Sequence, residues 1–219
     1  MYPNFFTCWD GGSHCRKDNQ YILREPLALS MEEADRMVEA VRRNKVKAMV
    51  GHVLRFFPEY SREGDIIKNG TLGKPLYAQC ERLCGIDSEE KNSWKVDKDL
   101  SEGTALDMQI HDIDYLIWLF GLPESIESAG VYDGRLGGWA FVNTSIRFEN
   151  DIKGFVNAEW NVAESYPFKM VLRIIFEEGI LEWIYKSAEG YAGSRKQKFP
   201  LLFNNYYIDL MVLSICLFL

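Results

Sequence analysis

Between Tyr21 and Val50 the sequence runs strand, helix, strand, and that order leaves few folds open. Tyr21, Ile22 and Leu23 form a short apolar run that stops at Pro26, as a buried strand does. In "SMEEADRMVEAVRRN", Ser30 and Glu33 read as a capping box, the hydroxyl meeting one backbone N–H while the Glu reaches back. Ala34, Met37, Val38 and Val41 then recur at helical spacing. "VKAMVGH" returns an apolar strand from Val46 to Val50. Two strands joined through a helix within about thirty residues imply parallel pairing and a right-handed crossover. The sequence shows no other unit of this kind.

The chain after His52 is differently patterned. A helix opens near Pro58 and closes at Asn69-Gly70, with Gly64 as a weak point inside it. "PLYAQCERL" reads as a strand, with Cys80 and Cys84 on one face. Residues 86–102 are polar around Trp94, a loop able to cover a site. A greasy helix occupies "GTALDMQIHDIDYLIWLFG". Beyond Gly121, residues 125–132, 139–149, 152–161, 168–176 and 180–185 are strand-like, with "FENDIKG" as a hairpin turn. Consecutive short strands predict a mostly antiparallel sheet, one face packed and one open to association.

Composition sets the outer bounds. Hydrophobic residues make up 47% and aromatics 14% of the 219 residues, enough for a real core. The formal charge of -7, with Lys and Arg scattered, excludes a basic nucleic-acid surface. Five cysteines without regular spacing point to free thiols in a reducing cytoplasm, not to a disulfide framework. Cys8, His14 and Cys15 fit no common zinc spacing, so no metal is expected. Residues 1–19 lack the apolar core of a signal peptide. The tail "IDLMVLSICLFL" is apolar but shorter than the roughly twenty residues of a membrane helix, so no membrane is expected either.

The helix from Gly103 to Gly121 poses the chemical question. It carries Asp107, His111, Asp112 and Asp114 among Leu, Met and Ile. Asp107 and His111 stand four apart, on one face. A carboxylate there can hold an imidazole in one tautomer and raise its basicity, so that it takes a proton from a hydroxyl. A core histidine bonded to its helix neighbour has the same spacing, and a metal pair would lack an obvious third ligand. His52 and Arg55 lie just past a strand end, where parallel α/β sheets bind ligands, and Arg55 can grip a phosphate, carboxylate or polyol. "REP", from Arg24 through Glu25 to Pro26, closes the other strand. By itself each of these also fits a plain structural role.

Taken in order, "REPLALSMEEADRM", "VKAMVGHVLRFFPEY", "NGTLGKPLYAQ" and "GTALDMQIHDIDYLIWLFG" resemble the Gfo/Idh/MocA family of nicotinamide-dependent oxidoreductases. The resemblance covers about residues 20–186, more weakly to Phe203. It implies a Rossmann domain that binds NAD or NADP, followed by a substrate domain with a large open sheet. It further implies hydride transfer between nicotinamide and a sugar, inositol or related polyol. On this resemblance His111 matches the acid/base histidine and Asp107 the acidic residue that orients it or the substrate. Pro26 matches the family proline, and Arg55 lies in the Gly-His-x-x-Arg-Phe stretch with His52.

Two departures stand out. Glu25 occupies the place of a Lys that touches substrate and nicotinamide, which inverts the charge beside a developing alkoxide. Losing one such group costs roughly 2–4 kcal/mol of barrier. And no G-x-G-x-x-G precedes a helix, so the cofactor-binding residues are unknown.

The expectation is therefore an α/β (α+β) chain. Residues 1–19 do not resemble the family, 20–53 are a remnant of the Rossmann βαβ unit, and 54–203 form a substrate and association domain. That domain has a large, mostly antiparallel open sheet and flanking helices; residues 204–219 are an apolar tail outside the family pattern. The expected function is NAD(P)-dependent oxidation or reduction of a polyol or sugar by a fragment of a longer gene product. The expected partner is a second copy, held through the sheet. The alternative is a cofactor-free domain that binds a sugar or another subunit.

Overall fold

The computed structural model describes residues 20–23, 25–86, 94–97, 100–161 and 166–187. Cys8, His14, Cys15, Arg24, Cys216, most of the polar loop and the apolar tail lie outside the described residues. The chain divides into two compact units, one up to His52 and one from Val53.

In the first unit, β1 (Gln20–Leu23) and β2 (Lys47–Val50) pair in parallel, Leu23 opposite Val50, with α1 (Met31–Asn44) between them in sequence. The expected strand–helix–strand unit is there. Ser30 Oγ accepts the Glu33 N–H at 3.2 Å. Glu33 reaches back to the Leu29 N–H, also at 3.2 Å, so the box closes one residue earlier than the usual motif. Lys45, at φ 52°, ends the helix in the left-handed region, its N–H turned to the carbonyls of Val41 and Arg42.

The second unit is a six-stranded sheet with two helices on one face. A 3₁₀ turn (Val53–Phe56) leads into α2 (Pro58–Lys68) and β3 (Pro75–Gly85). After α3 (Ile110–Phe120) come β4 (Pro123–Asp133), β5 (Gly138–Phe148), β6 (Lys153–Asn161), β7 (Lys169–Phe176) and β8 (Ile180–Lys186). The strand order is β4-β5-β6-β3-β7-β8. All neighbours are antiparallel except β3 and β6, which run parallel because β3 enters the sheet from the helical half of the chain.

Alternation decides the two faces. Ala78, Cys80, Arg82 and Cys84 of β3 point to the buried face with Ile146, Phe148, Val156, Leu172 and Ile174. Tyr60 of α2 and Tyr115 and Leu116 of α3 pack on that face. Cys80 and Cys84 are buried free thiols, sharing a face as their spacing requires. The helices approach closely through glycine. A Cβ at Gly154 would stand 3.1 Å from Leu116, and one at Gly64 would stand 3.0 Å from the Trp118 ring. Gly64, a liability in an isolated helix, is thus what lets α2 lie against α3. The opposite face carries cross-strand polar pairs: Lys169 with Glu81 at 2.9 Å, Arg173 with Glu182 at 2.6 Å, and Asn143 with Asn157. The turn between β5 and β6 holds Asn150 and Asp151 at φ 64° and 62°, a conformation these residue types tolerate.

Glu63 is the one acidic residue α2 turns inward. It is 5% exposed, and its Oε2 has no partner among the described residues. Burial, reinforced by Glu59, pushes its carboxyl well above the usual range, so the folded chain keeps the proton that the unfolded chain releases. Stability from this site is complete below the ordinary Glu pKa and is lost as pH rises. Glu63→Gln is therefore expected to raise Tm relative to wild type, the gap widening from about pH 5 to about pH 9; thermal unfolding across that range checks it, and a pH-independent gap would contradict a protonated Glu63.

Candidate active site

The residues picked out by sequence fall in both units. In the first, Glu25 and Pro26 follow β1, and His52 follows β2, at the carboxyl ends of two parallel strands. Gly51 N–H donates to Leu23 O at 2.9 Å, and a Cβ at Gly51 would lie 3.5 Å from Glu25 Oε2. So Glu25 is brought next to the Gly51–His52 bend. The Glu25–Pro26 peptide is cis.

In the second unit the chemistry gathers on the helix that starts at Gly103. Its first turn, Ala105–Gln109, is π-helical, and α3 continues directly from it. Met108, Gln109, Asp112, Tyr115 and Leu116 are buried and face the sheet. Asp107, His111 and Asp114 are only partly buried and lie on a second stripe. The sequence predicts one continuous α-helix here; the π turn is the difference.

Each Asp of this helix meets a base from a different element. Asp112 accepts two bonds from Arg82 of β3, from Nε at 3.0 Å and Nη2 at 2.9 Å, with side chains 1% and 7% exposed. Burial alone would pull the guanidinium down, but Asp112 more than reverses this, and Arg82 titrates above its ordinary range. Burial also pushes the Cys80 thiol and the Tyr60 phenol up, with the Asp112 carboxylate adding to both. These groups stay neutral beside the pair. Asp114 accepts from Arg55 Nε at 2.8 Å and from its Nη2. Arg55, expected to grip a ligand, thus has its fork on α3. Asp107 Oδ2 lies 3.9 Å from Lys95 Nζ.

Lys95 reaches Asp107 because glycine lets three backbones meet. Its 3₁₀ turn, Trp94–Val96, lies against Gly137, where a Cβ would stand 2.5 Å from Lys95 O. Gly137 sits at φ 73°, so a side chain is excluded twice over. Gly103 lies as closely on Trp139, whose N–H donates to Glu102 O at 3.3 Å. Val96 packs on a second apolar cluster formed by Cys84, Ile86, Met108, Leu136, Ala158 and Trp160.

Sequence reasoning missed Arg82, Lys95 and Gln109. A signal existed for Arg82, since it shares strand parity with Cys80 and Cys84 and so falls on the core face, where a guanidinium needs a buried carboxylate. Among the described residues no group of three or more His, Cys, Asp or Glu could hold a metal ion. No described helix is long and apolar enough to cross a membrane.

The family described as GFO/IDH/MocA C-terminal domain matches residues 62–182. The chain is 30% identical over 156 residues to 2,7-anhydro-N-acetylneuraminate hydratase of Mediterraneibacter gnavus, covering 68% of this chain and 40% of the relative. It is 28% identical over 151 residues to myo-inositol 2-dehydrogenase of Thermotoga maritima, covering 65% and 43%. Its fold matches levoglucosan dehydrogenase solved with NADH and L-sorbose at a TM-score of 0.67 and 25% identity, over 76% of this chain and 48% of that one. The chain spans about two fifths of the length of these curated relatives.

Replacing Arg82 with Met strands Asp112 as a buried unpaired charge, expected to cost about 3–5 kcal/mol in urea unfolding. Adding Asp112→Leu should return much of that loss. If the double variant is no more stable than the single one, the pair is not the isolated buried couple described.

Proposed function

Since this chain belongs to the Gfo/Idh/MocA family, we propose that it carries the substrate half of an NAD(P)-dependent oxidoreductase acting on a sugar, inositol or related polyol. The observation that carries this reading is the second stripe of the Gly103–Gly121 helix. Asp107 and His111 are held there, partly accessible, by a helix whose other stripe is locked to the sheet. In the proposed step His111 takes the proton of the substrate hydroxyl at Nε2, its Nδ1 being shut from solvent, and Asp107, four residues back, orients the imidazole or the substrate. By the family resemblance Arg55, fixed by Asp114, is a pocket residue, as are His52, Glu25 and Pro26. The names of the relatives support an alcohol or sugar as substrate, since they include a myo-inositol dehydrogenase, a levoglucosan dehydrogenase and an anhydro-neuraminate hydratase.

The cofactor fits the described residues poorly. The β1–α1–β2 unit is proposed as the remnant of the dinucleotide domain. Yet the α1 N-terminus is occupied by its own Ser30 and Glu33 caps, with no glycine turn ahead of it. Glu25 puts a carboxylate at the strand end, where the family resemblance calls for a positively charged Lys. A nicotinamide, when bound, supplies the hydride acceptor; no residue of this chain is assigned to its phosphates.

The proposed partner is a second copy, through the face of the sheet that α2 and α3 leave uncovered. Tyr77, Phe155 and Ile184 are exposed there. An open groove of about 240 Å³ also lies on that face, lined by Ser125, Glu127, Ser145, Arg147, Lys153 and Phe155. Arg147, whose Nε lies 3.6 Å from Glu124, and Lys153 stand opposite each other across β5 and β6, and a two-fold copy can add its own Glu127 to these cations. A cytoplasmic setting is proposed with it.

Titration with NADH and NADPH, followed by nicotinamide fluorescence, separates the readings: a saturable change supports the oxidoreductase reading for this chain, and none at millimolar cofactor favours a cofactor-free sugar-binding or association domain. Where oxidation of a polyol is measurable, His111→Gln should lower kcat by about 10²–10⁴-fold with little change in KM. Glu25→Lys should raise it; a kcat that does not rise refutes the assigned effect of Glu25.

A further inference from the structure

The helix carrying Asp107 and His111 is pinned on both sides of its first turn. Upstream, Gly103 bridges to Trp139 at the start of β5, and a Cβ there would stand 2.5 Å from Trp139 O. Downstream, the Gln109 carboxamide is 3% exposed and fully engaged. Its Nε2 donates to Val142 O of β5 at 3.2 Å and to Val156 O of β6 at 3.0 Å, while its Oε1 accepts from Thr144 Oγ1 at 3.0 Å. Thr144 Oγ1 in turn lies 2.8 Å from Ser128 Oγ of β4. One turn further on, Asp112 is locked to Arg82 of β3.

A helix fixed at two points on one sheet has a set length between them. The surplus between Gly103 and Gln109 is taken up as the π-helical turn Ala105–Gln109. One residue more or fewer in a helix rotates everything before it by about 100° relative to everything after it. Asp107 lies inside this turn and His111 beyond it. Their relative angle therefore depends on the π turn as well as on the α-helical periodicity that follows it.

On the proposed roles of Asp107 and His111, we infer that Gln109 is a positioning residue. By bridging β5 and β6 it holds the π turn, and the turn sets how Asp107 meets His111. A carboxamide suits the task because one neutral group supplies two donors and an acceptor. A carboxylate would face two carbonyls with no proton to give.

The test uses the whole chain with ¹⁵N-labelled histidine at about pH 9, where an ordinary imidazole is neutral. The ring ¹⁵N shifts then report which nitrogen carries the proton. His111→Gln identifies the His111 signals among those of His14, His52 and His111. One tautomer is expected to dominate in the wild type, and Asp107→Asn to mix the two. Gln109→Met should mix them to the same extent, and adding Asp107→Asn to it should change nothing further. If Gln109→Met keeps the wild-type ratio, or if the two substitutions add independently, Gln109 does not act through Asp107 and the proposal is overturned. If Asp107→Asn has no effect in the wild type, the acid/base pairing itself is wrong and the role of Gln109 falls with it. Should Gln109→Met fail to fold, Thr144→Val removes only the hydroxyl at Gln109 Oε1. A partial shift toward the mixture is then expected, and an unchanged ratio overturns the proposal.

Discussion

A guanidinium and a carboxylate, both shut away from water, fasten α3 to the middle of the sheet. The Arg82–Asp112 pair adds little net stability, because taking two charges out of water costs about as much as their attraction returns. Its effect is geometric. A planar fork meeting a carboxylate through two bonds allows one rotation of the helix and one height above the strands. Sliding by a residue would leave both charges unsatisfied. The remainder of the site depends on that lock, since it decides which residues of the helix face the core and which stay accessible.

The apparent excess of acid in an apolar helix then resolves into three separate tasks. Asp112 anchors the buried stripe. Asp114 takes the fork of Arg55, whose 3₁₀ turn precedes α2, and so ties the helix to the start of its own unit. Asp107 faces Lys95 from the far side of a glycine-mediated backbone contact. The three bases come from a strand and two separate 3₁₀ turns, none of them a sequence neighbour of the helix.

Much of the architecture was legible because it arises from local pattern. The apolar run at Tyr21–Leu23, the Ser30 cap and the alternation in "AFVNTSIRF" each act within a few residues, and each formed the element expected. The helix around His111 was legible for the same reason. Its π turn was not, because a π turn answers to two distant anchors on β5 and β6, and no window of sequence contains them. Arg82 was missed likewise, since its partner comes thirty residues later, and Lys95 because its approach to Asp107 depends on the close backbone contact at Gly137. Gly64 was misjudged for a related reason. Its cost in an isolated helix is local, while its benefit is the distant Trp118 ring.

The parallel seam between β3 and β6 has a consequence for how the sheet is assembled. β4, β5 and β6 form a meander of near neighbours, which can zip as it emerges. β3 is made earlier, yet both its edges are matched only by strands from the last third of the described chain, Cys80 meeting Val156 on one side and Leu172 on the other. Until those arrive, the strand bearing Arg82 has open hydrogen-bonding edges on both flanks, which exposes it to wrong pairing during synthesis. The two partners of the central ion pair are thus made before the strands that finally bury it.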